Sequence, residues 1–421
     1  MVMGLTATEK ILNNHRVYPD NEVYAGDYLI AFVDKIMAHE ALTRTIDFLG
    51  GVDKINVWDS KKLVIFLDHW APAPTIEVAN MHIKIRKFVK EKKIQNFFDV
   101  NSGICHQIMI EKNLVKPGEL VIGTDSHTIT YGAVGALSTA IGPIDLIAFL
   151  EAGKNWFKVP KTIVFEIDGK PPKFILGKDI SLYLLSKYGE SLAIYKTIEY
   201  RGEAIKNLSI DSRLTLANMS VEMGAKFSFI EPDEKTLNYI NSKGVKNIVK
   251  SDPDAPFEKI FYEDVTDLPP YVAAPHRPSN GAPIDNFVGV KLDMVFVGSC
   301  TNGRYEDLFW LAKILKNKKV HKDVRLIVTP ASRDMYLRAL KDGLIEIIVK
   351  AGGIVTNSTC GACIGGHLGV LGDEEVALST TSRNLRGRMG SMSSKVYLAS
   401  PIVAAVSAIK GEITDPREFN L

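Results

Sequence analysis

The chain is 421 residues long, with 46% hydrophobic and 24% charged residues, which is enough for two to four domains with hydrophobic cores and excludes a disordered protein. Its 51 Lys and Arg residues nearly balance its 49 Asp and Glu residues, leaving a formal net charge of +2. Such a balance gives no overall field that would attract nucleic acid or an anionic membrane surface, so we expect neither as a partner.

The sequence gives no sign of a membrane span or an export signal. Residues 351–372 carry no formal charge and could reach across a bilayer, but seven glycines and two cysteines in this stretch favour a site loop. The first ten residues lack a basic region followed by an apolar one, so we expect a cytoplasmic protein. Glutamine is scarce while Lys and Glu are plentiful, a bias typical of proteins from thermophiles.

The first 160 residues predict an α/β region. Residues 6–9 match a capping box at a helix start, and residues 63–67, 96–100 and 120–123 are short apolar runs that predict buried strands. Residues 161–167 predict the first strand of a middle region. Seven of the 19 prolines lie between Pro253 and Pro283, which excludes a continuous helix or central strand and indicates an interdomain crossing.

The last third of the chain alternates predicted strands and helices. Residues 294–297, 325–329, 353–356 and 375–379 predict strands. An apolar stripe beginning at Leu308 predicts one helix, and Ser332 and Ser400 are the predicted N-caps of two more. Because this order is typical of a parallel sheet, we predict three α/β domains, residues 1–160, 161–285 and 286–421.

Histidines follow three predicted strands of the first domain at the same end. Asp68 and His69 follow the first, His106 the second, and Asp125 and His127 the third. Ligands in parallel sheets bind beyond the carboxyl ends of the strands, so we expect these side chains to converge. A single histidine is more often structural than catalytic, but three in equivalent positions favour an acid–base site.

Three cysteines collect in the third domain, with Cys300 after a predicted strand and Cys360 and Cys363 in a Cys-x-x-Cys pair. Because disulfides are uncommon in cytosolic proteins, metal or redox chemistry is the better interpretation. A redox pair, a zinc site with His367 as a fourth ligand, and a cubane iron–sulfur cluster held by three thiolates remain open. Cys105 is interpreted as a packed thiol.

Arg383 and Arg388 follow the last predicted strand, beside glycines and small residues. They form either a solvated basic face or a pair that binds carboxylates in bidentate fashion. Asn218 and Glu222 are four residues apart, a spacing that would put them on one face of a helix.

Taken together, these motifs resemble those of the aconitase family, in the family's order and over residues 5–415. The motifs that carry the resemblance are Asp68-His69, Cys105-His106-Gln107, Asp125-Ser126-His127-Thr128, Asn218-x-x-x-Glu222, Cys300-Thr301-Asn302, Cys360-x-x-Cys363 and Arg383-Asn384-x-x-Gly387-Arg388. The resemblance implies an aconitase-like iron–sulfur fold, with three α/β domains around a shared cluster site.

The family resemblance also implies a chemistry. It implies one [4Fe-4S] cluster per chain, bound by Cys300, Cys360 and Cys363, and a hydro-lyase that dehydrates a 2-hydroxy di- or tricarboxylic acid and rehydrates it at the neighbouring carbon. The implied catalytic residues are Asp68, His69, His106, Asp125, His127 and Glu222, with His69 as proton donor. The implied substrate-binding residues are Arg383, Arg388, Ser126 and Asn218.

Within the family, the chain resembles the large subunits of the two-chain members. We expect it to isomerise 2-isopropylmalate and 3-isopropylmalate in leucine synthesis; the alternatives are action on homoaconitate in lysine synthesis and a non-catalytic, cluster-sensing role. The Gly-Ser-Ser-Arg type segment of the family's swivelling fourth domain is not found in the sequence. The resemblance therefore implies a separate small subunit that carries this domain and the catalytic serine, in a heterodimer or heterotetramer, and we expect this chain alone to be inactive.

Two departures from the family pattern predict local differences. Ser382 stands where family members usually have an asparagine near the cluster, which predicts altered cluster contacts. Residues 129–131 are bulkier and more apolar than is usual, which predicts a different substrate pocket.

Overall fold

The computed structural model describes residues 4–20, 22–241 and 248–419. The strands in these ranges are β1 Tyr28–Phe32, β2 Lys35–Ala38, β3 Leu63–Phe66, β4 Asn96–Phe98, β5 Leu120–Gly123, β6 Leu137–Ala140, β7 Lys154–Lys158, β8 Thr162–Asp168, β9 Thr197–Arg201, β10 Phe227–Ile230, β11 Lys259–Asp264, β12 Tyr271–Ala273, β13 Gly281–Pro283, β14 Met294–Val297, β15 Arg325–Val328, β16 Ile354–Val355, β17 Val376–Ser379 and β18 Lys395–Leu398.

Helices alternate with these strands along most of the chain. They are α1 Ala7–His15, α2 Leu42–Phe48, α3 Ile76–Glu91, α4 Cys105–Glu111, α5 Pro143–Ala152, α6 Gly177–Tyr188, α7 Glu203–Asn207, α8 Ile210–Met219, α9 Glu234–Tyr239, α10 Tyr305–Leu315, α11 Arg333–Lys341, α12 Leu344–Ala351 and α13 Pro401–Lys410. Three 3-10 turns also matter for the site, Ser126–Val134, Ser220–Met223 and Gly361–Ile364. No helix in the described ranges combines the length and apolarity needed to cross a membrane.

The first sheet has five parallel strands in the order β4-β3-β2-β5-β6. The strands predicted from residues 63–67, 96–100 and 120–123 are confirmed as β3, β4 and β5. The predicted capping box is also confirmed, since Thr6 Oγ1 accepts from the Glu9 amide and the Glu9 carboxylate accepts from the Thr6 amide. The central strand β2 was not predicted, because four residues beginning with a lysine give too short an apolar run.

The middle sheet is parallel, in the order β10-β9-β8-β11. The third sheet has seven strands in the order β13-β12-β18-β17-β14-β15-β16, parallel from β18 to β16 and antiparallel at β12 and β13. The proline-dense segment holds β11 of the middle sheet and β12 and β13 of the third. It therefore connects two sheets and contributes strands to both, and its role as a crossing between domains stays a prediction.

The predicted helix signals of the last third agree with the structure. Ser332 caps α11 by accepting from the Met335 amide, and α13 begins after Ser400 and ends before Gly411. The uncharged stretch 351–372 contains β16 and a 3-10 turn rather than a long helix. The division of the chain near residues 160 and 285 stays a prediction; β12 and β13, which precede residue 285, belong to the third sheet.

One hydrophobic core cluster joins all three large sheets. It includes Phe66 of β3, Phe165 of β8 and Phe296 of β14, and it also contains Cys300 and Cys360. The chain after β3, β5 and β14 therefore leads into one shared interior, where the polar side chains that follow these strands meet.

Candidate active site

Three histidines that follow three strands of the first sheet meet at the Asp125 carboxylate: His69 in a loop, His106 in α4 and His127 in a 3-10 turn. His106 Nε2 lies 2.7 Å from Asp125 Oδ1, His127 Nδ1 lies 3.5 Å from the same oxygen, and His69 Nε2 lies 3.5 Å from Oδ2. Asp125 follows β5 and caps the 3-10 turn Ser126–Val134, so its backbone position is fixed. Burial raises the Asp125 pKa, but the hydrogen bonds from the three imidazoles outweigh burial and hold this pKa well below its ordinary value.

His69 is held from its other side by Asp68, the residue that follows β3 by two positions. Asp68 Oδ1 accepts from His69 Nδ1 at 2.8 Å, and Asp68 Oδ2 accepts from the Cys105 amide at the start of α4 at 2.7 Å. Burial lowers the His69 pKa, but the charges of Cys360 and Asp68 and the hydrogen bonds to Asp125 and Asp68 raise it well above its ordinary value. His69 is therefore oriented by one carboxylate and faces another, and both favour its protonated form.

A second chain of contacts joins all three sheets through Glu222. His127 Nε2 lies 3.1 Å from Glu222 Oε1, and Arg383 Nε lies 2.8 Å from the same oxygen. Arg383 Nη1 also donates to Ser126 Oγ at 3.1 Å. Arg383 therefore does not belong to a solvated basic face. Burial raises the Glu222 pKa, but His127 and Arg383 outweigh burial and lower this pKa below its ordinary value.

The expected single helix face for Asn218 and Glu222 is wrong in one respect. Helix α8 ends at Met219, and Glu222 lies in the following 3-10 turn. The turn still directs Glu222 to His127, while Asn218 Nδ2 donates to Cys300 Sγ at 3.3 Å and to Thr130 Oγ1 at 2.8 Å. Asn218, predicted to bind substrate, therefore lies at a cysteine of the site.

All four cysteines are buried free thiols. Burial raises the pKa of Cys300, but the charge and hydrogen bond of His127 outweigh it and lower this pKa to about 6, whereas burial raises the pKa of Cys360 and of Cys363. The Cys300 thiolate adds to both increases, so the three sulfurs lie within electrostatic reach of one another. Cys105 lies in the hydrophobic core together with Cys300 and Cys360, and its interpretation as a packed thiol stays a prediction.

The spacing of the sulfurs can be compared with that of zinc ligands. The sulfurs of Cys300, Cys360 and Cys363, all in described segments, do not all lie within 4.8 Å of one another. Zinc–sulfur bonds of about 2.3 Å in a tetrahedron would bring ligand sulfurs to about 3.8 Å apart. His367 also belongs to none of the described groups of metal-ligating atoms within 4.8 Å. The three thiols are therefore spaced more widely in this structure than the ligands of a single zinc ion.

Several buried polar atoms lack hydrogen-bond partners, and one of them belongs to Asn218, whose amide nitrogen donates to Cys300. Each of the following has no hydrogen-bond partner among the described residues: Asn218 Oδ1, Asn302 Oδ1, Ser382 Oγ and Arg388 Nε. Arg388 lies close enough to Cys363 to oppose the effect of burial on the pKa of that thiol. Because a buried polar atom without a partner costs stability, these atoms fit a site that receives a cluster and a polar ligand.

Another buried carboxylate next to His69, that of Glu40, was not predicted from the sequence. Glu40 Oε1 accepts from the amides of His69 at 3.1 Å and Trp70 at 3.3 Å, and the His39 ring stacks on the His69 ring with centroids 4.1 Å apart. Burial raises the Glu40 pKa, but hydrogen bonds from His39 and His82 lower it well below its ordinary value. His39 and Glu40 follow β2, so recognising that strand would have revealed them.

The fold and the site together define a class of protein: an α/β protein with three buried free thiols beside an imidazole–carboxylate network, the donor set of a metal-dependent acid–base enzyme. The chain belongs to the aconitase family, whose model, described as aconitate hydratase, matches residues 9–411. The predicted resemblance is thereby confirmed, and an iron–sulfur cluster is the cofactor that this family implies.

Proteins of known name resemble the chain over its whole length. It is 46% identical over 420 residues to 3-isopropylmalate dehydratase large subunit 1 of Methanopyrus kandleri, covering 99% of this chain and 100% of that protein. It is 46% identical over 425 residues to large subunit 1 of the same enzyme from Archaeoglobus fulgidus. It is 44% identical over 420 residues to the large subunit from Halothermothrix orenii. Each of these alignments covers 99% of this chain and 100% of the relative.

A solved structure supports the fold. The holo form of aconitase X from Thermococcus kodakaraensis superposes with a TM-score of 0.54, 13% sequence identity and coverage of 84% of each chain. At this identity the similarity concerns the fold alone.

Proposed function

We propose that this chain is the large, cluster-bearing subunit of a 3-isopropylmalate dehydratase, which interconverts 2-isopropylmalate and 3-isopropylmalate by loss and readdition of water. The observation that carries the proposal is the convergence of His69, His106 and His127 on Asp125 beside three free buried thiols. The full-length relatives named large subunits of this enzyme support the choice of substrate.

We infer that Cys300, Cys360 and Cys363 hold one [4Fe-4S] cluster per chain. With three thiolate ligands, such a cluster supplies one iron that is free to act as a Lewis acid on the hydroxyl and a carboxylate of the substrate. The low pKa of Cys300, about 6, favours the thiolate that a metal needs, and the partnerless Asn218 Oδ1 and Ser382 Oγ would meet the cluster or its ligand.

His69 is the proposed acid of the dehydration step. Hydroxide is a poor leaving group, so the departing hydroxyl must take a proton as the carbon–oxygen bond breaks, and it then leaves as water. His69 carries that proton, and Asp68 fixes its ring by accepting from Nδ1 at 2.8 Å. After the transfer the neutral ring stays hydrogen-bonded to Asp68, ready to accept the proton back during hydration of the alkene.

Arg383 and Arg388 are the proposed carboxylate-binding groups. Negative charge grows on a substrate carboxylate as the neighbouring carbon loses its proton, and a guanidinium group stabilises this charge. Glu222 and Ser126 hold Arg383 in one orientation, and the buried Nε of Arg388 has no partner among the described residues and is free to donate.

The group that removes the carbon-bound proton is proposed to be a serine on a small subunit. The relatives are named as large subunits, which supports a second chain as partner. We further propose a cytoplasmic location, supported by four free thiols in a chain with no described disulfide.

The test is to purify the chain anaerobically together with a small subunit and to measure iron, sulfide and isomerisation. We expect brown protein with about four irons per chain and turnover of 2-isopropylmalate. The variant Cys300→Ser should lose iron, whereas the matched variant Cys105→Ala should retain it. A higher kcat/KM for homoaconitate would replace the proposed substrate, and colourless protein with stoichiometric zinc would reject the cluster.

A further inference from the structure

Lys178 is a fully buried lysine in the first turn of α6, at a position that the sequence did not single out. Its Nζ donates to the carbonyl oxygen of Thr381 at 2.5 Å and to that of Thr380 at 3.2 Å, and it lies 3.7 Å from Met219 Sδ. Among the described residues, no carboxylate oxygen lies within 4.0 Å of Nζ. Lys178 is therefore a buried cation whose direct partners are backbone carbonyls.

Such a lysine is costly to the fold. An ammonium group loses its hydration on burial, and ion pairing, the usual compensation, is missing from its immediate contacts. The start of a helix is also the wrong end for a cation, because the helix dipole is positive there. Neither the stability of α6 nor an ion pair therefore explains the residue.

The carbonyl groups that accept hydrogen bonds from Lys178 belong to the segment that leads to Arg383. Thr380 and Thr381 follow β17 directly and precede Ser382 and Arg383. The Thr380 carbonyl also accepts from Thr301 Oγ1 at 2.9 Å, so two donors fix the same peptide group. The backbone that leads to Arg383 is thus tied to α6.

The charges around Lys178 support a role in the site. Burial lowers its pKa to about 8, and the opposing effects that favour the charged form come from Cys363, Glu222, Cys300 and Asp179. Two of these groups are proposed cluster ligands and one is the partner of Arg383. Groups of the site therefore favour the charged form of Lys178.

We propose that Lys178 is a positioning residue: its ammonium group holds the Thr380 and Thr381 carbonyls and thereby fixes Arg383 against Glu222, in the orientation that binds a substrate carboxylate. The binding of a substrate carboxylate by Arg383 rests on the proposed function, whereas the orientation of Arg383 by Lys178 does not. Lys178 is not a catalytic residue, because it acts through Arg383.

Crystal structures of the Lys178→Met and Lys178→Gln proteins test the positioning directly. In Lys178→Met we expect the Thr381 carbonyl to turn away from α6 and the contact between Arg383 Nε and Glu222 to be lost. Lys178→Gln retains one N–H donor and should keep part of this geometry; it also serves if the methionine variant does not fold. An unchanged Arg383–Glu222 contact in the variants would overturn the proposal, whatever substrate the enzyme uses.

Kinetics of the complete enzyme provide the second test. Lys178→Met should raise KM about tenfold, the loss expected for one charge-assisted hydrogen bond, with a smaller change in kcat. Added to Arg383→Gln, it should cause little further loss, because both changes remove the same interaction. The control is Lys226→Met, which replaces a half-buried lysine whose Nζ lies 3.5 Å from the Ala140 carbonyl, and KM should not change.

These outcomes separate the two proposals. Additive losses in the double variant would show that Lys178 does not act through Arg383 and would overturn the positioning role. Wild-type enzyme that turns over neither isopropylmalate would contradict the proposed function, and the structures of the variants would still decide the role of Lys178.

Discussion

Glu222 and Arg383, 161 residues apart in the chain, form a partly buried ion pair with Nε 2.8 Å from Oε1. The same carboxylate oxygen lies 3.1 Å from His127 Nε2. One carboxylate therefore sets both the direction of a substrate-binding guanidinium and the charge of an imidazole that lowers the pKa of Cys300. A substitution of Glu222 should therefore affect both the orientation of Arg383 and, through His127, the pKa of Cys300.

The variant Glu222→Gln is expected to lower kcat/KM by about tenfold to a hundredfold, because the amide keeps the shape but no longer attracts Arg383 and His127. Steady-state kinetics on the anaerobic complex checks this, with iron content measured in the same sample. Glu346→Gln, which removes an exposed carboxylate paired with Lys350, is the control. Equal kinetics for the two variants would show that the Glu222 charge is not needed.

The acid assignment makes a second prediction. Replacing His69 by Gln removes the proton that the leaving hydroxyl needs, and kcat should fall by about a hundredfold to ten-thousandfold, the usual contribution of a general acid. Asp68→Asn should reduce kcat less, since the ring remains but loses its orienting carboxylate.

Single-turnover measurements of alkene formation check the His69→Gln and Asp68→Asn variants. Replacement of the partly exposed His321 by Gln is the control and should leave the rate unchanged. A His69→Gln enzyme with a normal dehydration rate would move the acid role to another imidazole at Asp125.

Much of this arrangement could be predicted from the sequence, and particular residues explain why. Apolar runs such as β3 and β5 are buried on both faces, so the residues that follow them, Asp68 and Asp125, were expected at one sheet edge. The convergence of the three imidazoles on one carboxylate could not be predicted. Hydrophobic periodicity indicates which face of a helix or strand a residue occupies, but not which distant residues of the chain it contacts.

Two other residues of the site, Glu40 and Lys178, have little or no pattern in the sequence that indicates their role. Glu40 follows β2, a strand of four residues that begins with Lys35, and was missed with it. Lys178 lies in an ordinary helical turn, where a lysine is usually exposed, and only the packing of α6 against the Thr380–Thr381 segment reveals its burial.

Asp179 predicts a dependence of stability on pH. It is fully buried at the start of α6, and burial raises its pKa from 3.8 to about 7 although it accepts from the Leu176 and Tyr271 amides. The native state thus binds this proton more tightly than the unfolded chain does. Its contribution to stability is complete below pH 3.8 and is lost as the pH rises through about 7.

Asp179→Asn imitates the protonated form, so its Tm should fall less than that of the wild type between about pH 5 and pH 9. Calorimetry of the cluster-free proteins over this range is the measurement. Asp267→Asn, which changes an exposed carboxylate, should follow the wild type. Parallel curves for Asp179→Asn and the wild type would mean that Asp179 is ionised in the native state.

Ser382 offers the last prediction, because its hydroxyl is buried and has no partner among the described residues. In the cluster-free protein, Ser382→Ala should therefore be neutral or raise the free energy of unfolding by about 1 kcal/mol, since an unsatisfied buried polar group is removed. If the hydroxyl donates to the bound cluster, the same variant should lose iron faster in air. Ser138→Ala removes a similarly unpartnered hydroxyl on β6, away from the thiols, and should leave the rate of iron loss unchanged. Equal rates of iron loss for Ser382→Ala, Ser138→Ala and the wild type would show that Ser382 does not contact the cluster.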